Sequence, residues 1–392
     1  MLSMSDVQGP ERGGVGRPEQ VLGLKTERLR AEDADGVERA AELLLAGGTV
    51  AFPTETVYGL GANALDSAAV ENIFLAKQRP SWDPMIVHVE GRTMLQRVAA
   101  VPAGDEGRVV AKLMEAFWPG PLTLLLPRTA AVPDAVTAGR SLVGVRMPAH
   151  PVALELIRRA GVPIAAPSAN RFGGTSPTTA AHVLADLDGR IDAVLDGGAT
   201  NVGVESTVLD VGARAIYRPG AVTAAMIAEA IGEEVRVVSA AGVVEEEADS
   251  SAALQNDKQE RRNDKRGLRS DKQERQNNKG VGLASPGMGM RHYAPRARLV
   301  LVAGQEEMLR EVANHSAAEV GVMLPDGWNA GGAGAVFRWG AWDDAETLAR
   351  LLFAGLRTLD ARGVKAIVCP LPAMSGLGEA LRDRLGKAAR AK

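Results

Sequence analysis

Thr49-Val-Ala-Phe-Pro-Thr-Glu-Thr-Val-Tyr-Gly-Leu-Gly61, followed by Lys77-Gln-Arg-Pro80, decides how this 392-residue chain is read. Thr49 to Phe52 is β-branched, small and aromatic, the composition of a buried strand. Upstream, apolar residues recur at helical spacing from Val37 to Ala46 until Gly47-Gly48 stops the helix. Downstream, Thr54, Glu55, Thr56 and Tyr58 crowd a turn that carries Gly59 and Gly61. Lys77 and Arg79 follow a helical pattern over Ala68–Ala76, and Pro80 marks a tight exit from it. Hydroxyls and bare backbone beside a point charge and a fork donor suit a small substrate with an anionic end and a phosphate-bearing partner. Each half also has a plain alternative: turn hydroxyls satisfy backbone groups, and cations after a helix face solvent.

Outward from this stretch, helices and strands alternate. Helical patterns cover Arg108–Phe117, Val152–Ala160 and Thr178–Leu184. Strand-like runs cover Met85–Val89, Leu122–Leu126, Leu142–Arg146, Pro163–Ala166, Ala193–Leu195, Ser206–Val211 and Ala215–Tyr217. The alternation predicts an α/β domain with a large twisted sheet. Hydrophobic residues at 46 % and charged ones at 24 % are ordinary for a globular chain, and its length predicts two domains. A net charge of -3 gives no sign of a strongly basic nucleic-acid surface. Cys369 is the only cysteine, which excludes intramolecular disulfides and cysteine-based zinc sites. The first residues lack the apolar core of a signal peptide and no apolar run approaches the ~20 residues of a membrane span. The expectation is a cytoplasmic protein.

Composition shifts near Gly242. Asp257-Lys-Gln-Glu-Arg261 recurs as Asp271-Lys-Gln-Glu-Arg275 in a stretch almost without apolar side chains, which reads as a polar insert in a linker. A tRNA-touching tail is the sharper alternative, weakened by the interspersed acids. Patterns then resume at Leu299–Val302, Glu306–Asn314, Val320–Met323, Ala345–Leu359, Ala366–Val368 and Gly378–Ala388. The expected organisation is a leader at 1–23, a catalytic domain at 24–238, a linker at 239–297 and a small α/β domain at 298–392. The last has no Gly-x-Gly-x-x-Gly turn after its first strand, so dinucleotide binding is not supported.

Further short motifs continue the pattern: Pro84-Met-Ile-Val-His88, Trp118-Pro-Gly-Pro-Leu-Thr123, Val145-Arg-Met-Pro148, Ala166-Pro-Ser-Ala-Asn170, Ser176-Pro177, Glu205-Ser-Thr207, Arg218-Pro-Gly220, Ser285-Pro-Gly-Met288 and Arg291-His-Tyr-Ala-Pro295. In this order they resemble the YrdC-like threonylcarbamoyl-AMP synthases in the long form. That resemblance implies a twisted mixed sheet of the YrdC-like fold, with a concave face for substrates, plus a smaller Rossmann-like α/β domain. It also implies that L-threonine, bicarbonate (or carbon dioxide) and ATP, accompanied by Mg²⁺, yield threonylcarbamoyl-adenylate and pyrophosphate. The product would pass to a separate transferase that modifies tRNA beside the anticodon. Two other readings compete: a non-catalytic RNA-binding module of the same fold, and the related carbamoyl transferase of hydrogenase maturation, against which the single cysteine speaks.

The resemblance also assigns residues. Lys77 and Arg79 meet the phosphates. Thr56, His88, Arg146, Ala166 and Ser206 hold threonine, Arg146 by its carboxylate. Asp83, Leu142 (through its main chain), Ser168, Asn170, Ser176, Arg218 and Tyr293 meet the nucleotide, Tyr293 as part of a linker lid. His88 would accept a proton from the substrate amine or orient the carbamate. Glu55 is a candidate for the amine or a metal ion. Two positions depart from the family: Asp83 replaces the usual Asn, requiring a ribose hydroxyl or metal ion to face, and Gly289-Met290 replaces Lys-Tyr. Ser176-Pro177 is also the expected N-cap of the helix that follows.

Overall fold

The computed structural model describes residues 25–238 and 293–390. The leader, the repeated charged segment and the motif residues 285–288 and 291–292 fall outside them.

Eleven strands form one mixed sheet: β1 (Glu27–Arg30), β2 (Val50–Pro53), β3 (Tyr58–Asn63), β4 (Ile86–His88), β5 (Leu122–Pro127), β6 (Leu142–Arg146), β7 (Ile164–Ala165), β8 (Ala193–Asp196), β9 (Thr207–Asp210), β10 (Ala215–Arg218) and β11 (Arg236–Val237). Their spatial order is β1-β8-β2-β3-β7-β4-β6-β5-β9-β10-β11. Pairing is parallel between β4 and β6 and between β5 and β9, but antiparallel between β2 and β3 and between β4 and β7. Phe52, Leu60, Ile73, Leu113 and Leu156 are wholly buried in its core, each contributing roughly 1.5–3 kcal/mol. The helix Gly36–Leu45 packs on Pro151–Ala160, and Gly104–Phe117 packs on Ala224–Ile231.

Strand β3 replaces the second half of the expected turn. Its sequence, Tyr-Gly-Leu-Gly-Ala-Asn, reads as a turn because of its glycines, but packing requires one of them. A Cβ on Gly61 would lie 2.7 Å from both Ile164 and the Phe52 ring. Tyr58 is therefore a strand residue. Its buried hydroxyl donates to the Gly198 carbonyl at 2.7 Å and lies 3.2 Å from Asp196. The helix after Ser176-Pro177 begins three residues late, at Ala180, and Thr179 caps it by accepting from the His182 N–H. The cap assigned to Ser176 is corrected accordingly. Short elements at Glu27–Arg30, Arg92–Val98, Asp134–Thr137, Ala224–Ile231 and Arg236–Val237 had no signal strong enough to read.

The helix Ser67–Lys77 positions the cations. The Asp66 carboxylate caps its start by accepting from the Ala68 and Ala69 N–H groups. Gln78, at φ 54°, adopts the left-handed conformation that ends it, and the Arg79 N–H returns to the Phe74 carbonyl at 3.0 Å.

The second domain is a parallel sheet of β12 (Arg298–Val302), β13 (Val320–Pro325), β14 (Ala335–Gly340) and β15 (Ala366–Pro370) in the order β12-β15-β13-β14. Helices Gln305–Ala313, Ala345–Ala361 and Leu377–Ala389 accompany it, as the Rossmann-like expectation required. The β14 strand was not expected; buried Trp339, whose indole donates to the Leu348 carbonyl at 2.8 Å, anchors it. The two domains share packing: Val57, Val204 and Tyr293 belong to the core that holds Phe353 and Leu381. Gly203, at φ +82°, lets this contact close, since a Cβ there would lie 2.4 Å from the Ala349 carbonyl oxygen. Among the described residues no helix is long and apolar enough to cross a membrane.

Candidate active site

A cleft opens on the sheet where β2, β4, β6 and β9 deliver their ends. It brings together Thr56, Arg79, His88, Arg146, Ala166, Ser168, Ser206, Arg218 and Tyr293, residues separated by up to the length of the first domain and linker. Lys77, Asp83, Asn170 and Ser176 stand behind this lining. Leu142 lies elsewhere, beside a small cavity with Pro84, Met85 and Arg140.

The deep wall is built around Arg146. Register places it beside His88 on the adjacent parallel strand. Its Nη1 donates to the Thr56 hydroxyl at 3.0 Å and its Nε to the Gly120 carbonyl at 3.2 Å. Its Nη2 lies 2.6 Å from a Glu55 carboxylate oxygen, with both side chains almost fully buried. A buried guanidinium needs such a partner. The chain supplies one before any substrate does, where the sequence favoured a substrate carboxylate. Thr54 and Thr56 share a hydroxyl contact of 2.8 Å that fixes the turn.

His88 is buried edge-on against Phe52, and its Nδ1 finds no hydrogen-bond partner among the described residues. Burial, reinforced by the Arg146 charge, pushes its pKa down to about 3. The imidazole is neutral at physiological pH and a weak base, which suits orienting a ligand better than abstracting a proton.

Arg79 curls back so that its Nη2 donates to the Pro84 carbonyl at 2.8 Å and lies 2.9 Å from Asp83. Asp83 is wholly buried against this arginine, so its carboxylate faces a cation of the chain itself, where the sequence pointed to a ribose or a metal ion. Lys77 is buried, and its ammonium donates to the main-chain carbonyls of Ser168 and Asn170. Burial and the Arg79 charge hold its pKa well below the usual lysine range. Asn170 in turn accepts from the Ser168 hydroxyl at 2.5 Å and donates to the Arg171 and Gly174 carbonyls. Lys77 thus fixes the loop that presents Ser168.

On the opposite wall, Arg218 donates through Nε to the Ser206 carbonyl and through Nη2 to its hydroxyl, each at 3.0 Å. Ser206 also meets the Thr123 hydroxyl at 2.8 Å. The lining therefore carries three arginines (Arg79, Arg146, Arg218) against one carboxylate, Glu205. Glu55 and Asp83 pair with Arg146 and Arg79 from behind this lining, so an anionic ligand would compete with them for the two guanidinium groups.

A family model described as "Telomere recombination", covering Sua5, YciO and YrdC proteins, matches residues 42–220. A second, described as the threonylcarbamoyl-AMP synthase C-terminal domain, matches residues 222–390. The threonylcarbamoyl-AMP synthase of Pyrococcus abyssi is 40 % identical over 358 residues, covering 89 % of this chain and 92 % of the relative. That of Bacillus subtilis is 39 % identical over 372 residues, covering 93 % and 95 %. The chain belongs to the threonylcarbamoyl-AMP synthase family. A crystal structure of P. abyssi Sua5 complexed with L-threonine matches with a TM-score of 0.75 at 37 % identity, covering 93 % of this chain and 98 % of that one.

In this synthase-family chain, two features of the site escaped sequence reasoning. Glu205 was visible only as part of a motif. It accepts the Ser176 hydroxyl at 2.5 Å and pairs with Arg384 of the second domain at 2.8 Å. Burial pushes its carboxyl up, but Arg384 and Arg218 pull harder and hold it below the ordinary range. Arg384 itself sits in Leu-Arg-Asp-Arg-Leu, among charges that look solvated. Tyr293, the expected lid aromatic, is buried, stacks on Phe353 at 5.7 Å between centroids and lies under the Arg384 guanidinium at 5.2 Å. Next to it, the Ala294 N–H donates to the Gly173 carbonyl at 2.9 Å, tying the linker end to the Ser168–Gly174 loop.

Proposed function

We propose that this chain joins L-threonine, bicarbonate (or carbon dioxide) and ATP into L-threonylcarbamoyladenylate, releasing pyrophosphate, for tRNA modification beside the anticodon. The observation that carries the reading is the convergence of Thr56, His88, Arg146, Ser206, Arg79 and Arg218 on one cleft in a member of the synthase family. Threonine's ammonium first gives up a proton; the neutral nitrogen then attacks the carbon of carbon dioxide and sheds a second proton to become a carbamate. A carbamate oxygen then bonds the α-phosphorus as the bond to pyrophosphate breaks. No protein nucleophile is needed, so positioning and charge stabilisation supply the catalysis.

Threonine replaces the Glu55–Arg146 pair: its carboxylate takes Arg146 while Glu55 turns to its ammonium. The exchange keeps the buried site electrically balanced. Ala166 leaves room for close approach, Ser206 and Thr56 bond the amino acid, and neutral His88 orients the carbamate. Arg79 and Arg218 meet the polyphosphate, with Ser168 and Tyr293 on the nucleoside side. Lys77, Asn170, Asp83 and Ser176 support that wall from behind. Mg²⁺ enters as the companion of ATP, as the chemistry of the phosphates requires. The setting is the cytoplasm, with a separate tRNA threonylcarbamoyl transferase as the consumer.

Carbon-13 bicarbonate tests the chemistry. The adenylate formed from ATP and threonine should carry the heavy carbon; an adenylate lacking it would contradict carbamate formation ahead of adenylation.

A further inference from the structure

Two arginines of the C-terminal domain reach across to one residue of the catalytic domain. On the helix Ala345–Ala361, Arg357 donates through Nε to the Ser176 carbonyl at 3.3 Å and through Nη1 to the His182 carbonyl at 3.4 Å. Its Nη2 donates to the Thr175 carbonyl and lies 2.7 Å from Asp186. On the helix Leu377–Ala389, Arg384 donates through Nε to Glu205 Oε2 at 2.8 Å and through Nη2 to the Glu205 carbonyl at 3.4 Å. The other Glu205 oxygen accepts the Ser176 hydroxyl at 2.5 Å. One arginine thus holds the main chain of Ser176, and the other holds its side chain through Glu205.

Neither arginine lines the cleft, whereas Glu205 and its neighbour Ser206 do. Arg384 is fully buried, and its remaining nitrogen, Nη1, donates to Asp383 at 2.6 Å. Asp383 also pairs with Lys387 at 2.9 Å. A buried charge network of this kind adds little net stability over apolar packing, so what it supplies is a fixed geometry. Its charge matters too. Without Arg384, the Glu205 carboxylate at the cleft wall would lose its nearest cation, and a polyphosphate entering the cleft would meet a less compensated negative charge. Threonine, a zwitterion without net charge, would feel this far less.

We infer that Arg384 and Arg357 are positioning residues for the nucleotide: the C-terminal domain orients Ser176 and neutralises Glu205, and thereby sets how well the cleft accepts ATP. The inference rests on the synthase reading above. It assigns the second domain a part in substrate affinity at a site it does not line with these arginines.

Steady-state pyrophosphate release by the full chain, with ATP and threonine varied separately, tests it. Arg384→Gln is expected to raise KM for ATP about tenfold and leave KM for threonine within about twofold. Adding Glu205→Gln removes the uncompensated charge and is expected to recover most of the ATP affinity. Arg384→Lys keeps the charge but loses the fork, giving an intermediate KM. Equal changes in both KM values, or no recovery in the double variant, would overturn the inference and leave a merely structural contact. If Arg384→Gln does not fold, the charge-balanced double variant and Arg384→Lys carry the comparison, and a wild-type KM for ATP in Arg384→Lys overturns it. An inactive wild type overturns the synthase reading and this inference with it. An active wild type with unsplit KM values in the variants overturns this inference alone.

Discussion

Glu55 and Arg146 face each other at 2.6 Å at the deep wall of the cleft, which Arg146 lines and Glu55 backs, both side chains almost completely withdrawn from solvent. In the proposed reading, the ammonium and carboxylate of an amino-acid substrate divide these two charges.

Glu55→Gln should leave Arg146 without its counter-ion and destabilise the fold by about 3–5 kcal/mol. Adding L-threonine should then raise the melting temperature more in the variant than in the wild type, because its carboxylate replaces the missing partner. An equal or smaller shift would show that threonine does not bind at Arg146.

His88 gives the site a pH signature. Its folded pKa lies near 3 against an ordinary value of 6.5, so below pH 6.5 the unfolded chain takes up a proton that the folded chain refuses. Stability contributed by this group is present above 6.5 and is lost as pH falls, by about 2 kcal/mol at pH 5. His182, pushed down to about 4 by burial, adds to the same trend. His88→Asn should flatten the fall in melting temperature between pH 7 and 5; an unchanged slope would mean that His88 is not buried and neutral.

Lys77→Met should reduce pyrophosphate release about a hundredfold or more and speed amide exchange between Ser168 and Gly174. The ammonium bonds two carbonyls of that loop, and removing it leaves buried acceptors unsatisfied. Lost activity with unchanged exchange would move Lys77 from the loop to the phosphates themselves.

Tyr293→Ala removes the ring stacked on Phe353 and opens the side of the cleft that Tyr293 lines. ATP breakdown should then exceed adenylate formation, since water reaches the labile product. Unchanged coupling between pyrophosphate and adenylate would remove Tyr293 from the cover.

Much of this site is legible in the sequence because motif order gathers residues that the sheet later brings together. Thr56, Arg79, His88, Arg146, Ala166, Ser168, Ser206, Arg218 and Tyr293 do meet in one cleft. Partnerships between distant residues are not legible in the same way. Nothing near Arg146 says that Glu55 neutralises it; Arg79 and Asp83 do lie only four residues apart, but no helix spans them in the sequence pattern to say that they face each other. Arg384 lies in a helix whose local sequence resembles a solvated face, yet domain packing buries it completely. Strand β3 is hidden for a related reason: Gly59 and Gly61 look like turn residues, and only packing against Phe52 and Ile164 shows why a strand needs one there. Motif position assigns Leu142 to the nucleotide, but its end of β6 borders a different cavity.

The most direct measurement is pyrophosphate release by the purified full-length chain with ATP, Mg²⁺ and bicarbonate, with and without L-threonine, alongside mass spectrometry of the products. Threonine-dependent release with threonylcarbamoyl-adenylate in equal amount is the predicted result. A folded chain that binds tRNA but releases no pyrophosphate with all substrates present would contradict it and favour a binding module of the same fold.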